Sequence, residues 1–101
     1  MDVEDVAAGT VIVREGERAH AFFTLIEGSA VVERDGLPVA CLGPGAIFGE
    51  LALLTYTRRT ATVTTTAPSR IQIVPVQAFR RLVETDRSFS RRVFAAAASR
   101  R

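Results

Sequence analysis

Up to about residue 75 the chain is cut by turn-formers, at intervals of roughly eight to twelve residues, into short apolar or β-branched runs. Thr10 to Val13, Phe22 to Ile26 and Ala30 to Glu33 are such runs, separated by Glu15-Gly16-Glu17 and Glu27-Gly28-Ser29. Asp35-Gly36 suits a type I′ hairpin, in which both central residues take positive φ, and it joins the Val31 strand to Val39-Ala40-Cys41-Leu42. Pro38 lacks a backbone donor and belongs at that strand's first position or on an edge. After Gly43-Pro44-Gly45, the segment from Phe48 to Leu54 holds good helix formers but is too short for an ordinary helix, so one or two turns are expected from about Gly49. Alternation resumes over Ala61 to Thr66 and Arg70 to Val74, read as strands of a sheet with one wet face. From Val76 the period changes: Phe79, Leu82 and Val83 share one helix face, and Phe89, Val93, Phe94 and Ala97 share another, with Ser88 as the expected N-cap.

The fold class that follows is mainly β with short helices: an antiparallel jelly roll (double-stranded β-helix) barrel of seven to eight strands. The barrel is expected over about residues 6–75, with C-terminal helices over about 76–84 and 87–99, all within one domain 1–101, the usual size for a single core. Hydrophobic residues at 48% and charged residues at 24% suit a globular chain and not a disordered one.

Composition narrows the chemistry. All 13 cations are arginine, so a P-loop lysine or a Schiff-base amine is excluded. One His and one Cys, His20 and Cys41, fall short of a transition-metal site, and no G-x-S-x-G elbow is present. The expectation is a binding module and not an enzyme, with no cofactor and no metal. His20 reads as an exposed loop residue and Cys41 as a small buried hydrophobe. No apolar run reaches the roughly 18 residues of a membrane span, and the acidic start carries no export signal, which points to a cytoplasmic location. Charge is split: residues 1–57 hold nine acids and three arginines (−6), residues 58–101 ten arginines and two acids (+8), summing to +2. Arg58 and the last helix's Arg87, Arg91, Arg92, Arg100 and Arg101 read as solvated, so no direct nucleic-acid or membrane binding is expected.

The segment from Phe48 to Val63 carries the chemistry. A helix start at Gly49 to Ala52 offers amides without intrahelical partners, and Gly49 has no Cβ to hinder a ligand. A return loop then delivers Arg59, whose forked guanidinium suits a phosphate. Glu50 sits in this cradle, where it either complements the helix dipole or accepts from a sugar hydroxyl. A cation for phosphate, an acceptor for a hydroxyl and amides between them describe a nucleotide with phosphate and ribose folded together.

The same residues, Phe48-Gly49-Glu50-Leu51-Ala52-Leu53 and Arg59-Thr60-Ala61-Thr62-Val63, resemble the phosphate-binding cassette of the cyclic nucleotide-binding domain family, which serves cAMP receptor proteins, protein kinase A regulatory subunits, cGMP-dependent kinases and cyclic nucleotide-gated channels. Upstream, Gly9 to Glu17, Phe22 to Gly28 and Leu42 to Gly45 are similar to the family's opening strand, second strand and pre-cassette turn, so the likeness covers about residues 6–83. The resemblance implies that Glu50 accepts from the ribose 2′-hydroxyl and that Arg59 pairs with the cyclic phosphate. Amides of Gly49, Leu51, Ala52 and of Ala61 or Thr60 would complete the phosphate shell, and the Thr60 hydroxyl could bond a syn purine. It further implies cAMP or cGMP as ligand and a C-terminal helix that lids the base, for which Phe89 and Phe94 are the candidates. The effector, a fused domain or separate protein, lies outside these residues. Only Val3 to Val6 stand before the expected barrel, where family members carry helices, so the chain reads as a piece of something longer. The alternatives are a barrel that binds no nucleotide and scaffolds partners, or a nucleic-acid binder using the basic second half.

Overall fold

A computed structural model of the chain describes residues 2–98. Its order is β1 (Asp2–Val6), β2 (Val11–Val13), β3 (Ala21–Glu27), β4 (Ala30–Arg34), β5 (Leu37–Leu42), β6 (Ile47–Phe48), α1 (Glu50–Thr55), β7 (Thr62–Thr65), β8 (Ser69–Pro75), α2 (Val76–Thr85) and α3 (Arg87–Ala98). The strands form two four-stranded sheets, ordered β1-β8-β3-β6 and β2-β7-β4-β5, and every pairing is antiparallel. The jelly-roll expectation holds with eight strands, although among the described residues no pairing joins the two sheets, so the barrel is open and sandwich-like. The last helix's expected end at Ser99, with Arg100 and Arg101, lies outside the described residues.

In the sheet β1-β8-β3-β6 the strands β3, β6 and β8 bury residues on both faces, and their sequence shows why. On β3, Phe23 and Leu25 point into the sandwich with Val13, Ala30, Phe48, Val63 and Ile71, whereas Phe22 points the other way, into a cluster with Leu53, Val74, Phe79, Phe89 and Val93. Neighbouring residues on β6 (Ile47, Phe48) and β8 (Ile73, Val74) divide in the same manner. A strand buried on both faces reads as a continuous apolar run, a strand with one wet face as an alternation. The wet-face reading therefore suits β7, where Val63 and Thr65 are buried and their neighbours are not, but fails for the second half of β8.

Local chemistry sets the turns and ends. Asp35 and Gly36 have φ of 54° and 78°, the pair of positive values a type I′ turn requires. Pro38 lies on β5, the edge strand, opposite Glu33 and beside a bulge, where its missing donor costs no ladder bond. At α3 the cap is Asp86, whose Oδ1 accepts from the Phe89 amide at 3.0 Å, and not Ser88, which lies inside the helix. Asp2–Val6, expected to precede the barrel, is instead an edge strand: β1 pairs along β8 from Asp2↔Ile73 to Val6↔Ser69. Cys41 is exposed and not buried, because β5 is an edge strand with five of its six residues exposed. His20 is exposed as expected, and its carbonyl accepts from the Val76 amide at the start of α2.

Candidate functional site

Gly49 and Arg59 organise the site. Gly49, at the cap position of α1, has φ 86°, a left-handed conformation that suits glycine. A Cβ there would lie 2.7 Å from Arg59 Nη1 and 3.3 Å from Phe23 Cδ2, so close approach and backbone angle both require glycine. Arg59 Nη1 donates to the Gly49 carbonyl and Nη2 to the Ala21 carbonyl, each at 2.6 Å, and its Cζ stands 5.8 Å from the centre of the Phe23 ring. The guanidinium thus ties the start of α1 to the start of β3. The return loop is fixed by exchange with the β2–β3 loop, since the Arg59 amide donates to the Glu17 carbonyl and the Gly16 amide to the Arg59 carbonyl, each at 2.8 Å.

Glu50 is fully buried in the first turn of α1. Burial lowers the Arg59 guanidinium below its ordinary value, and attraction from Glu50 opposes that shift. Arginine keeps its proton in proteins, so Arg59 is a buried cation beside a buried carboxylate.

A cavity of about 280 Å³ opens beside this pair, near the lower end of the roughly 300–1,000 Å³ usual for small-molecule sites. All seven residues singled out from the sequence line it: Gly49, Glu50, Leu51 and Ala52 from α1 and its cap, and Arg59, Thr60 and Ala61 from the segment leading into β7. Amides without intrahelical partners at the start of α1 and the Arg59 cation line the same cavity, a donor set chemically suited to an anion. The sheet β2-β7-β4-β5 contributes a largely apolar part of the lining, with Val32, Val39, Ala40 and Leu42 from the β4–β5 hairpin. Those four were not singled out from the sequence, nor was Arg34, which lines the cavity and donates through Nε to the Thr60 carbonyl at 3.2 Å. The available signal was alternation on β4, which puts Val32 and Arg34 on one face. Fixing that face toward the site needed the sandwich itself.

The two lid candidates both lie on α3. Phe89 is buried against Phe22 and Phe79, with ring centroids 5.4 and 6.1 Å away, and Phe94 is 51% exposed; neither lines the cavity. Leu53 of α1 nevertheless sits in the cluster that holds Phe89 and Val93, so α1 packs on α3 directly. Among the described residues no group of three or more His, Cys, Asp or Glu side chains is placed to hold a metal ion, and no helix is long and apolar enough to cross a membrane.

Comparison with known proteins gives a consistent result. The family model described as cyclic nucleotide-binding domain matches residues 3–86. A cAMP-dependent protein kinase regulatory subunit of Hypocrea atroviridis is 34% identical over 83 residues, covering 82% of this chain and 18% of that protein. A cyclic nucleotide-gated potassium channel of Mesorhizobium japonicum is 50% identical over 58 residues, covering 57% of this chain and 16% of the channel. Among solved structures, cAMP-bound PfPKA-R superposes with a TM-score of 0.83 at 28% identity, over 97% of this chain and 35% of that one. The chain therefore spans less than two thirds of the length of each of these relatives.

Proposed function

The chain belongs to the cyclic nucleotide-binding domain family, and from that premise we propose that it is a non-enzymatic sensor which binds cAMP or cGMP in the α1 cavity and relays occupancy through its C-terminal helix to an effector. The observation that carries the reading is the juxtaposition of buried Arg59, fully buried Glu50 and the amide-rich start of α1 in one cavity with a largely apolar hairpin lining. An anionic, hydroxylated head and a flat purine need those two surfaces. In this reading Arg59 pairs with the cyclic phosphate: the two carbonyl bonds use two of its five donors, so donors remain for an anion. Glu50 accepts from the ribose 2′-hydroxyl, and the amides of Gly49, Leu51, Ala52 and of Ala61 or Thr60 complete the phosphate shell. The purine lies along Val32, Val39 and Leu42.

Relay follows from packing. α1 holds the phosphate end of the cavity and also contributes Leu53 to the cluster containing Phe89 and Val93. A ligand that favours one position of α1 thereby biases α3, which is the differential contact coupling requires. In the same reading the sensor is cytosolic and its effector is a fused domain or a separate protein.

The test is a titration of cAMP and of cGMP by calorimetry and thermal melting. Ligand at a hundred times its Kd stabilises by about 2.7 kcal/mol, which for a domain this size raises Tm by roughly 10–20 °C. Arg59→Lys keeps a cation but loses the fork, and should weaken binding on the order of tenfold or more. Glu50→Gln should narrow the preference for a cyclic nucleotide over its 2′-deoxy analogue. No Tm shift with either nucleotide at millimolar concentration would favour a barrel that only scaffolds partners.

A further inference from the structure

α1 forms a wall of a second recess, of about 340 Å³, which shares only Ala52 with the first. Three arginines from three distant parts of the sequence line it: Arg18 from the β2–β3 loop, Arg58 from the loop after α1, and Arg80 from α2. No aspartate or glutamate is among the described residues that line it. The two salt bridges of the described residues lie elsewhere, at Arg14–Glu17 and Arg70–Asp5.

Arg58 and Arg80 make contacts that leave their charge uncompensated. Arg58 Nη1 donates to the Gly16 carbonyl at 3.2 Å, and Arg80 Cζ stands 5.2 Å from the centre of the Tyr56 ring. Like charges gathered at one recess repel one another, and an anion placed among them relieves that repulsion while gaining charge-assisted bonds. Between the cations the wall is apolar, with Leu53 and Val76, and Tyr56 stands at the recess 79% exposed. Exposed Tyr beside Arg is the composition of an interface hot spot, not of a solvated face.

We propose that this recess is a docking site for an acidic segment of a partner protein, two or more carboxylate side chains of which pair with Arg18, Arg58 and Arg80 while an apolar neighbour packs on Tyr56 and Leu53. A lone inorganic anion would leave most of the volume empty. A nucleic-acid backbone would call for cations in a row along an open surface, whereas these three converge on one recess.

A fluorescein-labelled hexaglutamate peptide tests the site by anisotropy, without nucleotide, so that the outcome is independent of the α1 cavity. The chain should bind hexaglutamate and not hexaglutamine. Arg18→Glu and Arg80→Glu should each weaken binding by about tenfold or more, whereas Arg91→Glu on α3, with the same change in net charge, should leave it within about twofold. Tyr56→Asn removes the ring, keeps the charge and suits the left-handed backbone at that position (φ 55°), and it should cost several-fold. Melting curves confirm that each variant is folded. Equal losses in all three arginine variants, or an unaffected Tyr56→Asn together with an unaffected Arg80→Glu, would overturn the proposal. So would an oligothymidylate that displaces the peptide and binds more tightly than it does.

Discussion

Gly49 and Arg59 are ten residues apart in sequence and in contact in space. A Cβ on residue 49 would stand only 2.7 Å from Arg59 Nη1, and the residue-49 carbonyl is one of the guanidinium's acceptors. Gly49→Ala therefore forces a left-handed residue with a side chain against a buried cation. The expected loss is at least the roughly 1–2 kcal/mol of left-handed strain, read as a lower denaturant midpoint, with nucleotide affinity falling because Arg59 is displaced. A variant of unchanged midpoint and affinity would show that the close approach is not rigid. Arg59, Gly49 and Glu50 were singled out from the sequence because glycine before a short helix and arginine in the segment leading into a strand carry their chemistry locally. The environments of Phe89 and Cys41 were not legible, because which side of a helix or strand is covered depends on elements far along the chain.

Elements show the same division. The Asp35-Gly36 turn follows from two adjacent residues and was legible, as was the edge placement of Pro38. β1 was not: Asp2-Val3-Glu4-Asp5-Val6 is acidic and short, and it becomes a strand only because β8 offers a partner edge. One end of that pairing is reinforced by Arg70, whose Nε donates to Asp5 Oδ1 at 2.8 Å. This bond, with the attraction behind it, holds the Asp5 carboxyl below its ordinary value, while the same bond, Asp5 and Glu27 raise Arg70. A depressed carboxyl stabilises the fold above its unfolded value of about 3.9, and that contribution disappears as pH falls through the lower folded value. Arg70→Gln should melt slightly below the wild type near pH 7, since exposed pairs contribute little. The gap should close as pH drops from about 4 toward 2. Thermal melts across that range check it, and a constant gap would mean that Arg70 acts through packing instead.

For the whole molecule, β3 is the strand that contributes most to both buried clusters, with β6 and β8 beside it. Phe23 and Leu25 belong to the sandwich interior and Phe22 to the helical cluster, its ring centroid 5.2 Å from that of Phe79 and 5.4 Å from that of Phe89. Sandwich and helices share the strands β3, β6 and β8 and should unfold as one unit. Phe22→Ala is expected to cost about 3–5 kcal/mol, a large part of the roughly 5–15 kcal/mol by which domains are stable, with one transition seen by both helix-sensitive and aromatic probes. Two separated transitions would show that the helices are an independent layer. By itself the sequence determined the strand rhythm, the hairpin turn, the change of period after Val76 and the cassette from Gly49 to Ala61, because each is encoded within a few neighbouring residues. Only the tertiary structure decided that β1 completes a sheet, that Phe22 and Phe23 face opposite layers, that the β4–β5 hairpin walls the cavity, and that Arg18, Arg58 and Arg80 meet. Those outcomes depend on which faces are left to be buried once distant strands have paired, and no local pattern specifies that.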